Sequence, residues 1–153
     1  MAGVTYLGEP VTLIALAVLL IIFKKTRKLG INIAIALIIG LLVANYGIKL
    51  IAKRPRPFTF NNFNLIISKP GGEYSFPSGH AVAVFEVATV VFKRYKKLGV
   101  WFIVLASLIA FSRLYLYVHF PTDVVAGAVL GIGVGLLSVF ITDKIYNKTK
   151  LKK

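Results

Sequence analysis

Five runs of apolar residues, parted only by short polar or basic islands, leave this chain few ways to fold. They extend from Pro10 to Phe23, from about Ile31 to Ile48, from Ser78 to Phe92, from Gly99 to Val118 and from Pro121 to Thr142. A helix that crosses the hydrocarbon of a bilayer needs about 20 apolar residues, and a shorter run spans by tilting or by drawing on its flanks. Apart from the first, the third run is the shortest of the set. No soluble linker, low-complexity tract or repeat interrupts the series, although Asn61 to Gly72 is polar, contains glycine and has the composition of a mobile loop. The expected fold is all-α: an integral membrane bundle of about five transmembrane helices, forming a single domain over residues 1–153.

Composition agrees with that expectation. The chain is 58% hydrophobic with a mean hydropathy of +0.81, too apolar for a soluble domain. It has no cysteine, which excludes disulfides and thiolate metal sites. A net charge of +14 raises the question of nucleic acid, but no basic face stands outside the loops that membrane topology already explains, so no nucleic-acid partner is expected. The lysines and arginines instead set topology and meet anionic headgroups. The first apolar run is preceded by Glu9 and by no cation, so it lacks the basic start of a cleaved signal peptide and is expected to remain as a helix.

Charge also assigns the sides. Thirteen of the nineteen cations fall in Lys24 to Lys28, Lys93 to Lys97 and the tail from Asp143 to Lys153, which five helices place on one face. Excess lysine and arginine mark the cytoplasmic side. The opposite face receives the N-terminus and six cations: Lys49, Lys53, Arg54, Arg56, Lys69 and Arg113. The expected location is the cytoplasmic membrane, with the N-terminus outside and the C-terminus inside. Trp101, Tyr115 and Tyr117 lie near the two ends of the fourth run, where aromatic belts or ordinary packing both account for them.

The two histidines of the chain, His80 and His119, each sit in a polar island on that outer face. The first island is Pro77-Ser78-Gly79-His80, the second runs from Ser112-Arg113 through His119 to Asp123, and a third covers Lys49 to Arg56-Pro57. Together they supply a nucleophile, a proton donor, a carboxylate to orient the nucleophile, and three cations with hydroxyl and backbone donors for an oxyanion. Such an inventory suits phosphoryl transfer without a metal.

In order and spacing these islands resemble the three motifs of the type 2 phosphatidic acid phosphatase family, part of the superfamily shared with vanadium-dependent haloperoxidases and glucose-6-phosphatase. The first motif, a lysine, six residues and Arg-Pro, is Lys49 with Arg56-Pro57. The second, Pro-Ser-Gly-His, is Pro77 to His80. The third, Ser-Arg, five residues, His, three residues and Asp, is Ser112, Arg113, His119 and Asp123. The likeness covers about residues 45–135, so the first helix and the tail carry none of it.

The resemblance implies a haloperoxidase-like helical core and a metal-independent lipid phosphatase working through a phosphohistidine. His119 is then the nucleophile, Asp123 its orienting partner and His80 the general acid. Lys49, Arg56, Ser78, Gly79 and Arg113 bind the phosphate, with Ser112 as a further donor or merely a hydroxyl bonded to a helix carbonyl. The residues agree with these roles. Ser78 stands at an N-cap position, so free amides and a helix dipole at Gly79 and His80 offer an anion site. Asp123 follows Pro121 in a first helical turn, where the dipole alone also favours a carboxylate.

No cofactor or metal is expected, because the histidines are thirty-nine residues apart without a carboxylate cluster and the phosphate charge already meets protein cations. The substrates that the family allows are undecaprenyl diphosphate, which we favour, phosphatidylglycerol phosphate, phosphatidic acid and the 1-phosphate of lipid A. Transfer of the phosphoryl group to another lipid and a non-catalytic carrier that keeps a phosphate pocket are the rival readings. Bacterial members often carry six helices, so the element ahead of the first run is expected to be missing, with the groove open or completed by a second subunit. Lys53 and Arg54 read as a solvated charged loop or as attractors of an anionic headgroup. Glu86, mid-helix and six residues beyond His80, is expected to find a partner or water, since a carboxylate at that depth is costly.

Overall fold

The computed structural model describes residues 2–60 and 72–150. The expected loop from Asn61 onward, with Lys69, and the last three residues lie outside the described residues, except for Gly72.

Six helices make up the described chain: α1 (Ala2–Tyr6), α2 (Pro10–Ile22), α3 (Arg27–Ala52), α4 (Gly79–Arg94), α5 (Lys96–Tyr115) and α6 (Pro121–Lys150). There is no strand among the described residues. Their ends follow from local chemistry. Pro10 and Pro121 open α2 and α6, where a missing amide hydrogen costs nothing. Ser78 caps α4, its hydroxyl accepting from the Ala81 amide at 3.4 Å. Lys53 turns left-handed at φ 43° and ends α3 just before Pro55 and Pro57, which cannot prolong a helix. Within α3 the stretch Leu41–Ile48 is wound as a π-helix.

Three helices, Arg27–Ala52, Lys96–Tyr115 and the helix from Pro121, are long and apolar enough to cross a membrane, and Pro10–Ile22 is a shorter apolar helix. The expected third run is α4, 16 residues long and placed at the centre of the bundle. It packs on α6, α5, α3 and α2. Ala81, Val82, Val84, Val87, Ala88, Val90 and Val91 are all buried, the pattern of a helix covered on every side.

Close approach of α4 to α6 depends on Gly127, Gly131 and Gly135, one on each successive turn of α6. A methyl group at Gly127 would lie 2.7 Å from the Ser78 carbonyl oxygen, and one at Gly135 2.8 Å from Thr89 Cβ. Lipid tails are as apolar as leucine, so helices in a bilayer gain from such tight backbone contact rather than from apolar burial alone.

The boundaries differ from the sequence reading at several points, α1 has no counterpart in it, and α3 begins at Arg27, ahead of the expected Ile31. α3 continues to Ala52, so Lys49 stands on a helix and not in a loop. α6 continues to Lys150, so most of the expected tail is helical. α5 begins and ends earlier than its apolar run, because Tyr95 breaks the chain at φ −140° and Leu116 already leaves the helix. Trp101 remains 71% exposed on the outside of the bundle.

The up-and-down order places the starts of α2, α4 and α6 and the ends of α3 and α5 at one end of the bundle. At the other end, Asp143 binds Lys28 at 2.7 Å and Arg94 at 2.8 Å, joining α3, α4 and α6. With its amide oxygen turned toward Arg94, the buried Asn32 accepts from that guanidinium at 2.8 and 2.9 Å and donates to Thr142. The basic end is therefore partly neutralised by one carboxylate.

Candidate functional site

The three motif segments meet at the first end of the bundle. α3 delivers Lys49 from its last turn, and the stretch after it delivers Arg56. The N-terminus of α4 delivers Gly79 and His80. The end of α5 delivers Arg113, and the turn from α5 to α6 delivers His119. These six side chains or backbones line one cavity of about 400 Å³.

Short contacts fix the frame. The Ser78 amide donates to the Asp123 carbonyl oxygen at 3.0 Å, tying the second motif to the third. Ser75 donates its amide to the Arg54 carbonyl at 2.8 Å and its hydroxyl to the Pro55 carbonyl at 3.1 Å, tying the first motif to the segment before α4. Arg56 Nε donates to the Gly72 carbonyl at 3.1 Å, and its Nη1 donates to the Val118 carbonyl at 3.2 Å. The same Nη1 lies 3.5 Å from His119 Nε2.

His119 thus turns Nε2 toward Arg56 and the cavity. Its other nitrogen, Nδ1, faces Asp123 Oδ2 at 3.6 Å, within ion-pair reach and longer than a hydrogen bond. Asp123 is itself buried and held: Oδ2 accepts the Phe120 amide at 2.8 Å, and Oδ1 accepts Arg54 Nη1 at 2.8 Å. Burial pulls His119 down to about 4, with Asp123 working against that shift and the Arg56 and Arg113 charges adding to it. The imidazole is therefore neutral at ordinary pH, and a proton on Nδ1 facing the carboxylate leaves a lone pair on Nε2. Burial also lowers Arg56 from its usual value, with the Asp123 carboxylate opposing it.

Not every expected residue reaches the cavity. Ser78 is fully buried and spends its hydroxyl on capping α4. Ser112 is fully buried too, its hydroxyl donating to the Ile109 carbonyl at 2.6 Å, which is the structural alternative named for it from sequence. Asp123 stands behind His119 and not in the cavity wall.

Other residues enter that the sequence reading passed over or placed elsewhere. Arg54 is no solvated loop charge: besides Asp123 it donates to Thr122 Oγ1 at 2.6 Å and stacks 4.0 Å from the centre of the Phe120 ring. The Arg-Pro-Arg-Pro run around it was the available signal. Thr5 of α1 is buried and accepts from Arg113 Nη1 at 2.6 Å, a contact that no sequence spacing announces. With Glu9, Thr5 closes one side of the cavity, so the chain ahead of the first apolar run supplies part of the wall. Glu86 lies deeper in the same cavity, and its Oε1 has no hydrogen-bond partner among the described residues.

The N-terminus of α4, three cations and a neutral imidazole facing one small space can hold a tetrahedral anion. Undecaprenyl-diphosphatase of Sulfolobus acidocaldarius is 38% identical over 140 residues, which are 91% of this chain and 65% of that relative. The chain thus spans slightly less than two thirds of that protein's length. The crystal structure of Aquifex aeolicus LpxE superposes with a TM-score of 0.78 at 30% identity, over 90% of this chain and 82% of that one. The transmembrane PAP2 type phosphatidylglycerolphosphate phosphatase of Bacillus subtilis superposes with a TM-score of 0.76 at 28% identity, over 94% of this chain and 75% of that one. The model of the PAP2 superfamily matches residues 28–146, the whole stretch that carries the three motifs, and the chain belongs to that superfamily.

Proposed function

We propose that this chain is a membrane lipid phosphatase that hydrolyses a lipid phosphomonoester or diphosphate through a phosphohistidine, without a metal. The observation that carries the reading is the meeting of His119, His80, Lys49, Arg56 and Arg113 in one cavity at the end of a bundle of apolar helices.

His119 Nε2 attacks the terminal phosphorus, forming a P–N bond as the bond from that phosphorus to its leaving oxygen breaks, an oxygen that stays with the lipid alcohol in a monoester and with the lipid monophosphate in a diphosphate. His80 gives its proton to that leaving oxygen. Water then attacks the phosphohistidine, His80 takes a proton from it, and inorganic phosphate leaves with the P–N bond broken. Lys49, Arg56, Arg113 and the first amides of α4 hold the non-bridging oxygens through both steps. Asp123 keeps the His119 ring turned, with Ser112 and Ser78 supporting the helix ends.

The substrate we favour is a polyprenyl diphosphate, supported by the name of the Sulfolobus relative. The likeness to the Bacillus structure supports phosphatidylglycerol phosphate as a second reading. We place the chain as one domain in the cytoplasmic membrane, with the site on the extracytoplasmic side, on the strength of the charge distribution.

The test is phosphate release from a panel of lipid phosphates in detergent, with and without vanadate. The expected result is vanadate-sensitive release that persists in excess EDTA and is lost in His119→Ala. Release that needs added magnesium, or that survives in His119→Ala, overturns the mechanism.

A further inference from the structure

We infer that Asn45 is a substrate-binding residue whose side-chain amide hydrogen-bonds an oxygen of the bound phosphoryl group. The inference rests on the lipid phosphatase reading and adds a neutral ligand to a site otherwise built from cations and helix amides.

Asn45 lies inside the π-wound stretch Leu41–Ile48 of α3 and one turn ahead of Lys49. Segments of π-helix are rare, shift the phase of the side chains that follow, and gather at functional sites. Here that winding sends Asn45 and Lys49 to one spot on α4. A Cβ placed on Gly79 would sit 3.2 Å from Asn45 Oδ1 and 3.9 Å from Lys49 Nζ. Gly79 is the first residue of α4, where unpaired amides and the helix dipole favour an anion. The absent side chain of Gly79 therefore leaves room for the Asn45 amide at the anion site, with the Lys49 ammonium beside it.

The Asn45 side chain lines the same cavity as His80 and His119. Its Oδ1 is enclosed, yet has no hydrogen-bond partner among the described residues. An amide shut away from water without a partner is unfavourable, and a ligand that fills the cavity removes that cost. Oxygen and nitrogen exchange places when the amide turns over, so Nδ2 can donate where Oδ1 now points. The neighbours of Asn45 on the cavity wall, Leu41 and Ala44, are apolar, so nothing else on α3 at that level competes for the donor.

The test uses the full chain in detergent, with turnover of a polyprenyl diphosphate and inhibition by orthovanadate as readouts. Asn45→Leu keeps the size and removes the amide, so KM and the vanadate inhibition constant are each expected to rise about tenfold or more, while kcat falls less. Asn45→Asp keeps the shape and turns a carboxylate toward the phosphoryl oxygens, so the rise is larger. A folded Asn45→Leu with an unchanged ligand-free melting temperature and the parent KM and vanadate response overturns the assignment. So does a variant in which kcat alone falls, since that marks a structural role. Should Asn45→Leu not fold, the isosteric Asn45→Asp decides by the same measurements. A parent protein that neither releases phosphate from the lipid panel nor responds to vanadate ends the phosphatase reading, and the Asn45 assignment with it. An active parent with indistinguishable Asn45 variants sinks the assignment alone.

Discussion

Ser78 donates its backbone amide to the carbonyl oxygen of Asp123 at 3.0 Å, and this one bond sets the first turns of α4 and α6 side by side. The two helices then run parallel, with Gly127, Gly131 and Gly135 keeping them close. The positive end of α4 faces the cavity and contributes to holding an anion there. The bond also couples the two histidines of the site: His80 follows Ser78 by two residues, and His119 precedes Asp123 by four.

The pH dependence should report His119. Burial holds it at about 4, below the ordinary 6.5. A base whose folded value is depressed stays neutral, and so nucleophilic, until the pH falls through that lower value. The acid limb of kcat/KM is therefore expected near pH 4 rather than near 6.5, measured in the free enzyme at low substrate concentration. The sign for stability is that of any group whose folded value is depressed: the unfolded chain binds the proton first, so stability is full above 6.5 and declines as the pH falls from 6.5 to 4. His119→Gln should flatten that decline in thermal melts across the same range.

Arg54 should act on rate and not on affinity. It touches Asp123 and Thr122 and stacks on Phe120, and it is absent from the cavity wall. Removing it leaves the buried Asp123 carboxylate without its only cation at hydrogen-bond distance among the described residues, so the carboxylate is freer to move from its place behind His119. Arg54→Met is expected to lower kcat by about tenfold with KM changed less than threefold, while Asp123→Asn lowers kcat by about a hundredfold or more. Steady-state kinetics on the two variants checks the order. Equal loss of KM and kcat in Arg54→Met would mean that the side chain meets the substrate.

How much of this was legible from sequence follows the range of each interaction. The five longer helices were, because apolar run length is local, whereas the short α1 carries no such run; the gathering of the motif islands was, because their spacing matches a known pattern. Lys49 was misplaced into a loop because the end of α3 is decided by the left-handed turn at Lys53, four residues further on. Arg113 to Thr5 and Arg54 to Asp123 span 108 and 69 residues, and nothing in the intervening chain marks the partners. The glycines of α6 were plainly visible at positions 127, 131 and 135, yet their spacing acquires meaning only when α4 is known to lie across them.

That stripe predicts opposite outcomes for two neighbouring glycines. At Gly127 an added methyl would stand 2.7 Å from the Ser78 carbonyl oxygen, and backbone cannot easily retreat. Gly127→Ala is therefore expected to destabilise by about 1–3 kcal/mol and to lower turnover as well, because Ser78 and Gly79 shift with it. At Gly133, on the other side of α6, nothing lies within 4 Å. Gly133→Ala should be neutral or stabilising by up to about 1 kcal/mol, since alanine restricts the unfolded chain and favours helix. Thermal melting of both variants in one detergent makes the comparison.

Gly40 and Glu86 should prove coupled. Glu86 is buried, its Oε1 lacks a partner among the described residues, and its carboxyl occupies the space that a side chain at Gly40 would need. A buried polar group without a partner destabilises, so Glu86→Leu is expected to keep the fold and to match or exceed the parent in stability. Gly40→Ala should be destabilising by itself, because its methyl forces the Glu86 carboxyl to turn aside. In Gly40→Ala with Glu86→Ala the overlap is gone, and most of that loss should return. Such recovery is an interaction energy of a pair in contact, and a double-mutant cycle on melting measures it. Additive losses would show that the carboxyl swings clear of Gly40. In that event the reason for an acid at this depth would have to be sought in the cavity it lines, by comparing lipid phosphates with and without a polar group near the headgroup as substrates of Glu86→Leu.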